Sequence, residues 1–227
     1  MSNKESLKVG IVIDEHSGDR LGSKIIKSLS KKYDISIVGV GGPLTEAQGL
    51  KSIFNFKELH VMGLIEPLLN IRKLLNHRKK LIKIFKDERI DFFIGVDSPD
   101  FNLPIHKALK KDQNTKTIQL VSPSVWGWRQ GRIKNIKKYI DLTLCLFKFE
   151  HEFYKSHAAK SFLVGHPLSE ISIPLKEDVQ NKYSLPDNKT YIALLPGSRN
   201  SEINNMMPTY VKAMKKVSEK NKNFHFL

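Results

Sequence analysis

The residues best suited to chemistry follow a short apolar run, FFIGV, at residues 92–96. This run predicts a buried strand that ends at Asp97, where a Ser-Pro-Asp turn begins. In an open α/β protein, ligands bind beyond the carboxyl ends of the strands. We therefore predict that Asp97 is a catalytic base. A second carboxylate, Asp100, competes for this role, but its place after Pro99 favours an orienting function in the loop.

The beginning of the chain predicts a nucleotide-binding type of fold, because a strand at 8–13 leads through a small-residue turn into a helix at 21–32. The turn, EHSGDRLG, lacks the GxGxxG pattern of dinucleotide sites. Ser17 and Gly18 would let a ligand approach the backbone near a helix N-terminus, which favours anions or sugar hydroxyls. The alternative, that Ser17 or Asp19 caps the helix, agrees equally well with the spacing.

Aromatic and basic residues follow a predicted strand at 117–121, in the segment SPSVWGWRQ. Trp126 and Trp128 offer flat surfaces to a sugar or a base, and Arg129 suits a phosphate. Basic residues continue to Lys138, a pattern that is also compatible with RNA binding. Core packing is the alternative interpretation for the two tryptophans.

A basic amphipathic helix is predicted within residues 62–89, where aliphatic residues recur at helical spacing between lysines and arginines. Pro67 is expected in its first turn or at a break between two helices. Such a helix suits an anionic membrane surface. Packing on the sheet with a solvated lysine face is an equally good interpretation. The residues assigned to membrane contact are Leu64, Leu68, Leu69, Arg72, Lys73 and Leu75.

The last third of the chain repeats the pattern of its beginning. A strand predicted at 191–195 is followed by Pro-Gly-Ser-Arg and a helix to about residue 220. Backbone N–H groups at the start of that helix, together with Arg199, would hold a diphosphate. Before this segment, His166 lies between Gly and Pro at a strand end and is a candidate ligand contact.

These patterns predict three parts of the chain. Residues 1–172 form a first domain, and residues 173–189, which are polar and carry two prolines, form a linker. Residues 190–227 begin a second domain that is incomplete, because one strand, one helix and the start of another strand cannot bury the faces of a sheet.

The charge and cysteine content narrow the classes of function. Lysine and arginine number 38 against 23 acidic residues, for a net charge of +15. Such a surface attracts phosphates on nucleotide sugars, anionic lipid or nucleic acid, although a generally lysine-rich composition is the alternative. A single cysteine, Cys145, excludes a disulfide framework and a multi-cysteine metal site. We expect a globular protein without a secretory signal or spanning helix.

Six segments together resemble the lipid-A-disaccharide synthase family: EHSGDRLG, VMGLIE, GVDSPDFN, VSPSVWGWRQ, VGHPL and LLPGSR. Their order and spacing agree along essentially the whole chain, which is more specific than any one segment. The resemblance implies a GT-B glycosyltransferase with two nucleotide-fold domains facing a cleft. We therefore expect an α/β fold, with a Rossmann-type parallel sheet and the start of a second, incomplete α/β domain.

The family resemblance also implies a reaction. UDP-2,3-diacylglucosamine donates its sugar to 2,3-diacylglucosamine 1-phosphate (lipid X), with inversion, giving a β-1,6-linked disaccharide 1-phosphate and UDP. No metal, cofactor or nucleic acid takes part. The expected location is cytoplasmic, peripheral on the inner membrane. A non-catalytic lipid-binding fragment and a 2-epimerase-like enzyme of similar fold are the alternatives, although the soluble substrate of an epimerase needs no membrane helix.

The same resemblance implies residue roles. Asp97 matches the proposed general base, which takes the proton from the acceptor's 6-hydroxyl. Gly197, Ser198 and Arg199 match the motif that holds the donor diphosphate. The residues expected to line the acceptor cleft are Glu15, Ser17, Gly18, Asp19, Asp100, Asn102, Ser122, Trp126, Trp128, Arg129, Gln130 and His166.

The chain departs from the family pattern in its first segment. Where the family usually reads Gly-Glu-Ala-Ser-Gly-Asp, Asp14 and His16 stand in place of Gly and Ala. They add a carboxylate and an imidazole beside the expected site. Lys148 stands where the family often has proline, which is a minor loop change. Because most of the donor site would lie beyond Leu227, this polypeptide alone is expected not to turn over.

Overall fold

A parallel sheet organises the first of two compact units, Met1–Glu170. The computed structural model describes residues 4–59, 65–111, 115–197 and 200–227, and for 65–70 the backbone alone. The strands of the unit are β1 (Ser6–Val12), β2 (Asp34–Val40), β3 (Lys51–Ser52), β4 (Phe92–Val96), β5 (Lys116–Leu120), β6 (Leu142–Cys145) and β7 (Ser161–Leu163). The helices are α1 (His16–Ser30), α2 (Pro43–Glu46), α3 (Ile65–Asp87), α4 (Pro99–Lys110), α5 (Ile133–Tyr139) and α6 (Lys148–Ser156), with short 3₁₀ helices at Phe56–Leu59, Gln130–Arg132 and Pro167–Glu170.

The strand order reverses between β1 and β4. The order is β3-β2-β1-β4-β5-β6-β7, and every pairing is parallel. The chain builds outward from β1 to β3 and then returns to β4 on the other side of β1. In doubly wound sheets this reversal leaves an open crevice at the carboxyl ends of the two central strands. The predicted α/β class and the strand at 92–96 are confirmed.

Alternating side chains on the central strands fill two apolar layers. Phe93 packs with Leu81 and Phe85 of α3 on one face of the sheet. Ile94 packs with Ile11 and with Ile26 of α1 on the other face. Because successive strand residues point to opposite faces, a buried central strand is apolar at nearly every position. The helices are thereby fixed on both sides of the strands that carry Asp97 and Asp14.

Two helices begin earlier than their sequences suggested, and both begin at the crevice. α1 starts at His16 instead of residue 21, and α4 starts at Pro99, inside the segment that was predicted to be a turn. The expected Ser-Pro-Asp turn is therefore the first turn of α4, with Pro99 at a position where its missing N–H costs nothing. The edge strand β3 is short, because only Lys51–Ser52 pairs with β2.

Helix α3 divides its apolar residues between the core and the surface. Leu81 and Phe85 are fully buried, and Leu74 packs against the same cluster. Two other apolar residues of α3, which precede Leu81 in the chain, reach the surface: Ile71 is 48% exposed and Leu75 is 38% exposed. Pro67 lies in the first turn of the helix, as predicted. Packing on the sheet is therefore confirmed for the C-terminal half of α3, while its N-terminal half carries apolar residues to the surface.

The second unit, Ile171–Leu227, contains the start of another α/β arrangement. Parallel strands β8 (Thr190–Ile192) and β9 (Phe224–Phe226) are connected by helix α8 (Asn200–Lys220). Helix α7 (Lys176–Tyr183) lies within the stretch that was predicted to be a linker. Across the described residues of both units, no helix is long and apolar enough to span a bilayer.

Candidate active site

Asp97 leaves the sheet directly at the crevice, on a strained turn. It follows the last residue of β4, and its backbone N–H donates to the carbonyl of Leu120 at 2.9 Å. Asp97 and Ser98 have φ values of 50° and 38°, both in the left-handed region that side chains disfavour. Consecutive strained residues persist only where their surroundings hold them, and they concentrate at functional sites. The Asp97 side chain is exposed at the surface of the crevice.

Buried amides hold the backbone of this turn. The carbonyl oxygen of Asp97 accepts hydrogen bonds from Asn102 Nδ2 at 3.0 Å and from Gln119 Nε2 at 2.9 Å. His106 Nε2 lies 2.9 Å from Gln119 Oε1, and burial lowers the pKa of His106 to about 4, so its ring is neutral at physiological pH. The neutral imidazole donates to Gln119 and fixes which way the amide faces. The network therefore positions Asp97 without using its carboxylate.

Gly95 allows this network to form. A Cβ atom at residue 95 would lie 2.9 Å from His106 Nε2 and 3.0 Å from the Cβ of Asn102. Any side chain there would push α4 away from the sheet, which would separate Asn102 from the turn and His106 from Gln119. Asn102, which was predicted to line the cleft, is fully buried and acts on Asp97 through the backbone.

Asp14 brings a second carboxylate to the end of the neighbouring strand, β1. The hydroxyl of Ser98 donates to Asp14 Oδ2, which ties the turn after β1 to the turn after β4. Asp14 Oδ1 is buried without a hydrogen-bond partner. Burial, together with repulsion from Asp97 and Glu15, raises the pKa of Asp14 to about 6, although the bond from Ser98 opposes the rise. Asp14 therefore holds its proton more tightly than an ordinary aspartate does.

The segment EHSGDRLG forms the N-cap and the first turns of α1. Glu15 is the N-cap residue, and no side chain caps the helix, so the interpretation of Ser17 or Asp19 as its cap is wrong. Ser17 is exposed. Gly18 is buried, and a Cβ there would lie 3.2 Å from side-chain atoms of Ile13 and Val96. Gly18 therefore lets α1 begin close to the strand ends. His16 packs edge-on against Phe56.

Asp19 has a structural task that the sequence did not indicate. Its buried carboxylate accepts hydrogen bonds from the backbone N–H groups of Gly42, Leu44 and Thr45 at 2.8 to 3.1 Å. It also accepts the hydroxyl of Thr45 at 2.6 Å. These donors belong to the start of α2, so Asp19 caps the next helix instead of its own. Its oxygens are accordingly occupied within the protein.

Asp100 lies on the exposed first turn of α4, among arginines. Its carboxylate pairs with Arg132, and Arg129 Nη1 lies 3.8 Å away. Its backbone carbonyl accepts from Arg78 at 3.5 Å. These contacts fit the predicted orienting role.

The aromatic segment presents one tryptophan fully to solvent. Trp128 is 70% exposed, and the Arg129 guanidinium lies 4.3 Å from its ring centroid. Core packing is therefore wrong for Trp128. Trp126 is 40% exposed and contacts Phe149 edge-on, while Gln130 Nε2 donates to the Trp126 carbonyl at 3.4 Å. Ser122 is buried and donates to the carbonyl of Pro123.

Four predicted site residues remain, His166 in the first unit and Gly197, Ser198 and Arg199 in the second. His166 stacks on Phe147, and its Nδ1 accepts the N–H of Leu168 at 3.2 Å. Gly197 precedes α8, which begins at Asn200 as expected after Pro-Gly-Ser-Arg. Ser198 and Arg199 lie outside the described residues.

The predicted membrane-contact residues are only partly described. Arg72 is exposed, and Lys73 pairs with Glu58 at 2.8 Å. Leu75 is partly exposed. Leu64 lies outside the described residues, as do the side chains of Leu68 and Leu69. Within the described part of the chain, no three His, Cys, Asp or Glu side chains are grouped so that they could hold a metal ion.

Sequence reasoning missed Gln119 and His106 as positioning residues, and it noted Asp14 only as a departure. A signal for Gln119 existed, because a glutamine inside the apolar strand β5 must find buried partners. No comparable signal linked Ser98 to Asp14, since 84 residues separate them.

Comparison with solved structures identifies the fold. The UDP-GlcNAc 2-epimerase from Neisseria meningitidis, solved bound to UDP-GlcNAc, superposes with a TM-score of 0.61 over 97% of this chain and 64% of that one. The two sequences are 12% identical. The likeness therefore shows the GT-B type of fold and nothing about substrate.

Comparison with sequences identifies the family. A family model described as lipid-A-disaccharide synthetase matches residues 9–227. The lipid-A-disaccharide synthase of Idiomarina loihiensis is 42% identical over all of this chain and 60% of its own length. That of Acinetobacter baylyi is 46% identical over 89% of this chain and 52% of its own. The chain spans little more than half of these relatives, and along that span it belongs to the lipid-A-disaccharide synthase family.

Proposed function

We propose that the intact protein, meaning this chain continued through a complete second domain, transfers 2,3-diacylglucosamine from UDP-2,3-diacylglucosamine to lipid X. The observation that carries the proposal is the family match over residues 9–227, together with an exposed aspartate held on the turn after the central strand β4. The epimerase-like alternative has only fold likeness in its favour, at 12% identity.

Asp97 acts as general base in the proposed reaction. Its carboxylate takes the proton of the acceptor's 6-hydroxyl as that oxygen bonds to the anomeric carbon of the donor. The bond from that carbon to the diphosphate breaks on the opposite face, and UDP leaves with the electron pair. The rigid backbone at Asp97 supports this role, because a base contributes only when it is held within hydrogen-bond reach.

The remaining site residues bind and orient the two sugars. The exposed ring of Trp128, with Arg129 against it, suits the apolar face of a sugar and a nearby phosphate. In the proposed reaction, the sequence motif of Gly197, Ser198 and Arg199 binds the donor diphosphate, on which negative charge builds as UDP leaves.

The test is an activity comparison between this chain and the intact protein. We expect the intact protein to form disaccharide 1-phosphate and UDP from the two substrates, and the 227-residue chain to form neither. Release of UDP without disaccharide, or epimerisation of UDP-GlcNAc by the intact protein, would reject the proposal. Binding of lipid X by the short chain without turnover would fit it.

We further propose that the protein works as a peripheral protein on the cytoplasmic face of the inner membrane, using α3. Exposed Ile71 and Leu75, with the positive charge of Arg72 beside them, support contact with an anionic lipid surface. Nucleic acid is not a proposed partner.

Replacing Leu68, Leu69 and Leu75 with serine should weaken binding to vesicles that contain anionic phospholipid. Because each leucine removed takes away apolar area, we expect a loss of at least about tenfold in co-sedimentation affinity. The matched control is Leu44→Ser in α2, also an exposed leucine of this unit, which should leave binding unchanged. Unchanged vesicle binding by the triple variant, combined with a lower unfolding temperature, would show that the three leucines belong to the core.

A further inference from the structure

A pocket of about 490 Å³ lies between α3 and the start of α4. The apolar residues that line it are Ile71, Leu74 and Leu75 from α3, Pro99 and Phe101 from α4, and Leu59. Leu74 and Phe101 also pack against the buried core of the unit. This part of the wall is therefore formed before any ligand arrives.

The polar end of the pocket adjoins the candidate base. Asp14 and Ser98 both line it, and Ser98 directly follows Asp97 in the chain. The hydrogen bond between Ser98 and Asp14 closes the wall at this point. A ligand whose tail filled the pocket would consequently present its head group close to Asp97.

A cation stands at the edge of this apolar space. Arg78 lines the pocket, and burial lowers the pKa of its guanidinium. Among the described residues its guanidinium donates to the backbone carbonyl of Asp100, at a long 3.5 Å. Partly desolvated arginine beside apolar walls suits a ligand that combines a hydrocarbon chain with an anionic group.

The pocket also continues to the surface along α3. Ile71 and Leu75 are four residues apart and thus on one helix face, and both are partly exposed while lining the pocket. An apolar path of this kind lets a chain enter from a lipid surface without crossing water.

We propose that this pocket takes one acyl chain of the lipid acceptor, which places the sugar that carries the chain beside Asp97. The inference rests on the proposed function, because it assumes a lipid-linked acceptor. The volume lies within the range of about 300 to 1,000 Å³ typical of small-ligand pockets. The pocket then selects acceptors by their chain and anchors them at the base.

The test measures binding of dodecyl phosphate below its micelle concentration by calorimetry, with glucosamine 1-phosphate and inorganic phosphate as chain-free probes. Leu75→Trp fills the pocket and, because tryptophan favours membrane interfaces, keeps the surface apolar. We expect this variant to bind dodecyl phosphate about tenfold more weakly, since fewer methylene groups fit. Ile71→Trp serves as a second variant, and both are first checked for an unchanged unfolding temperature.

The matched control is Leu44→Trp, the same substitution at an exposed leucine outside the pocket. It should bind dodecyl phosphate like the unsubstituted chain. Equal affinity of the unsubstituted chain for dodecyl phosphate and inorganic phosphate would overturn the proposal. So would parallel loss of vesicle binding and dodecyl phosphate binding in both pocket variants, because that result describes surface adsorption.

A second readout separates this inference from the proposed function. In the intact protein, Leu75→Trp should raise the KM for lipid X while kcat changes little. Sugar transfer by Leu75→Trp with an unchanged KM for lipid X would contradict the acyl-chain pocket and would still agree with the proposed function. If the protein binds dodecyl phosphate more tightly than inorganic phosphate but transfers no sugar, the proposed function is rejected and the acyl-chain pocket is supported.

Discussion

Replacing Asp97 with asparagine in the intact protein is expected to lower kcat by about 10³-fold, the usual contribution of a general base. The amide has the shape of the carboxylate but cannot take the proton of the acceptor hydroxyl. The KM for lipid X should change little, because Asn102 and Gln119 hold the backbone of residue 97 whatever side chain it carries. Steady-state kinetics and direct binding of lipid X measure the two quantities separately.

Asp100→Asn is the matched control for this prediction. Asp100 is the other carboxylate of the same segment, but it is exposed and paired with Arg132. Surface ion pairs contribute about 1 kcal/mol or less, so we expect a change of less than about fivefold in kcat. Near-normal turnover by Asp97→Asn would show that Asp97 is not the general base. A larger loss of kcat in Asp100→Asn than in Asp97→Asn would show the same.

The positions of the central strands could be predicted, because a strand that is buried on both faces of the sheet is a continuous apolar run in the sequence. β4 is apolar at nearly every residue and was placed correctly at 92–96. Helix starts were harder. Pro99 and Ser17 favour turns as much as first helical turns, and only the close packing of α1 and α4 on the strand ends decides between the two.

The candidate site could be predicted only where one segment carries it. Asp97 stands out because a strand ends there. Its support comes from residues that the chain brings together over long distances, such as Gln119 from β5. Asp19 shows the opposite situation, because a carboxylate in a conspicuous segment accepts hydrogen bonds from the start of α2, 23 residues further along. Local pattern cannot distinguish an aspartate that faces a ligand from one that caps a neighbour.

Asp14→Asn is expected to stabilise the first unit at neutral pH and to do nothing at pH 4. The folded protein holds a proton on Asp14 up to about pH 6, whereas the ordinary pKa is 3.8. Below pH 3.8 both states are protonated, so the carboxyl costs nothing. As the pH rises from 3.8 to about 6, the unfolded chain releases this proton while the folded protein keeps it, so stability falls by at most about 3 kcal/mol and changes little at higher pH. Asparagine is isosteric, does not titrate and therefore escapes this loss.

The measurement is urea unfolding at pH 4 and pH 7.5, followed by tryptophan fluorescence. Both tryptophans, Trp126 and Trp128, lie in the first unit, so the signal reports on that unit alone. Ser98→Ala supplies the control, because removing the bond that opposes the shift should move the titration to higher pH. An equal effect of Asp14→Asn at both pH values would show that Asp14 keeps an ordinary pKa. If Asp14→Asn is more stable than the unsubstituted chain at pH 7.5 alone, then ionised Asp14 destabilises the fold beside the candidate base Asp97. A destabilising charged group of this kind is typical of functional sites.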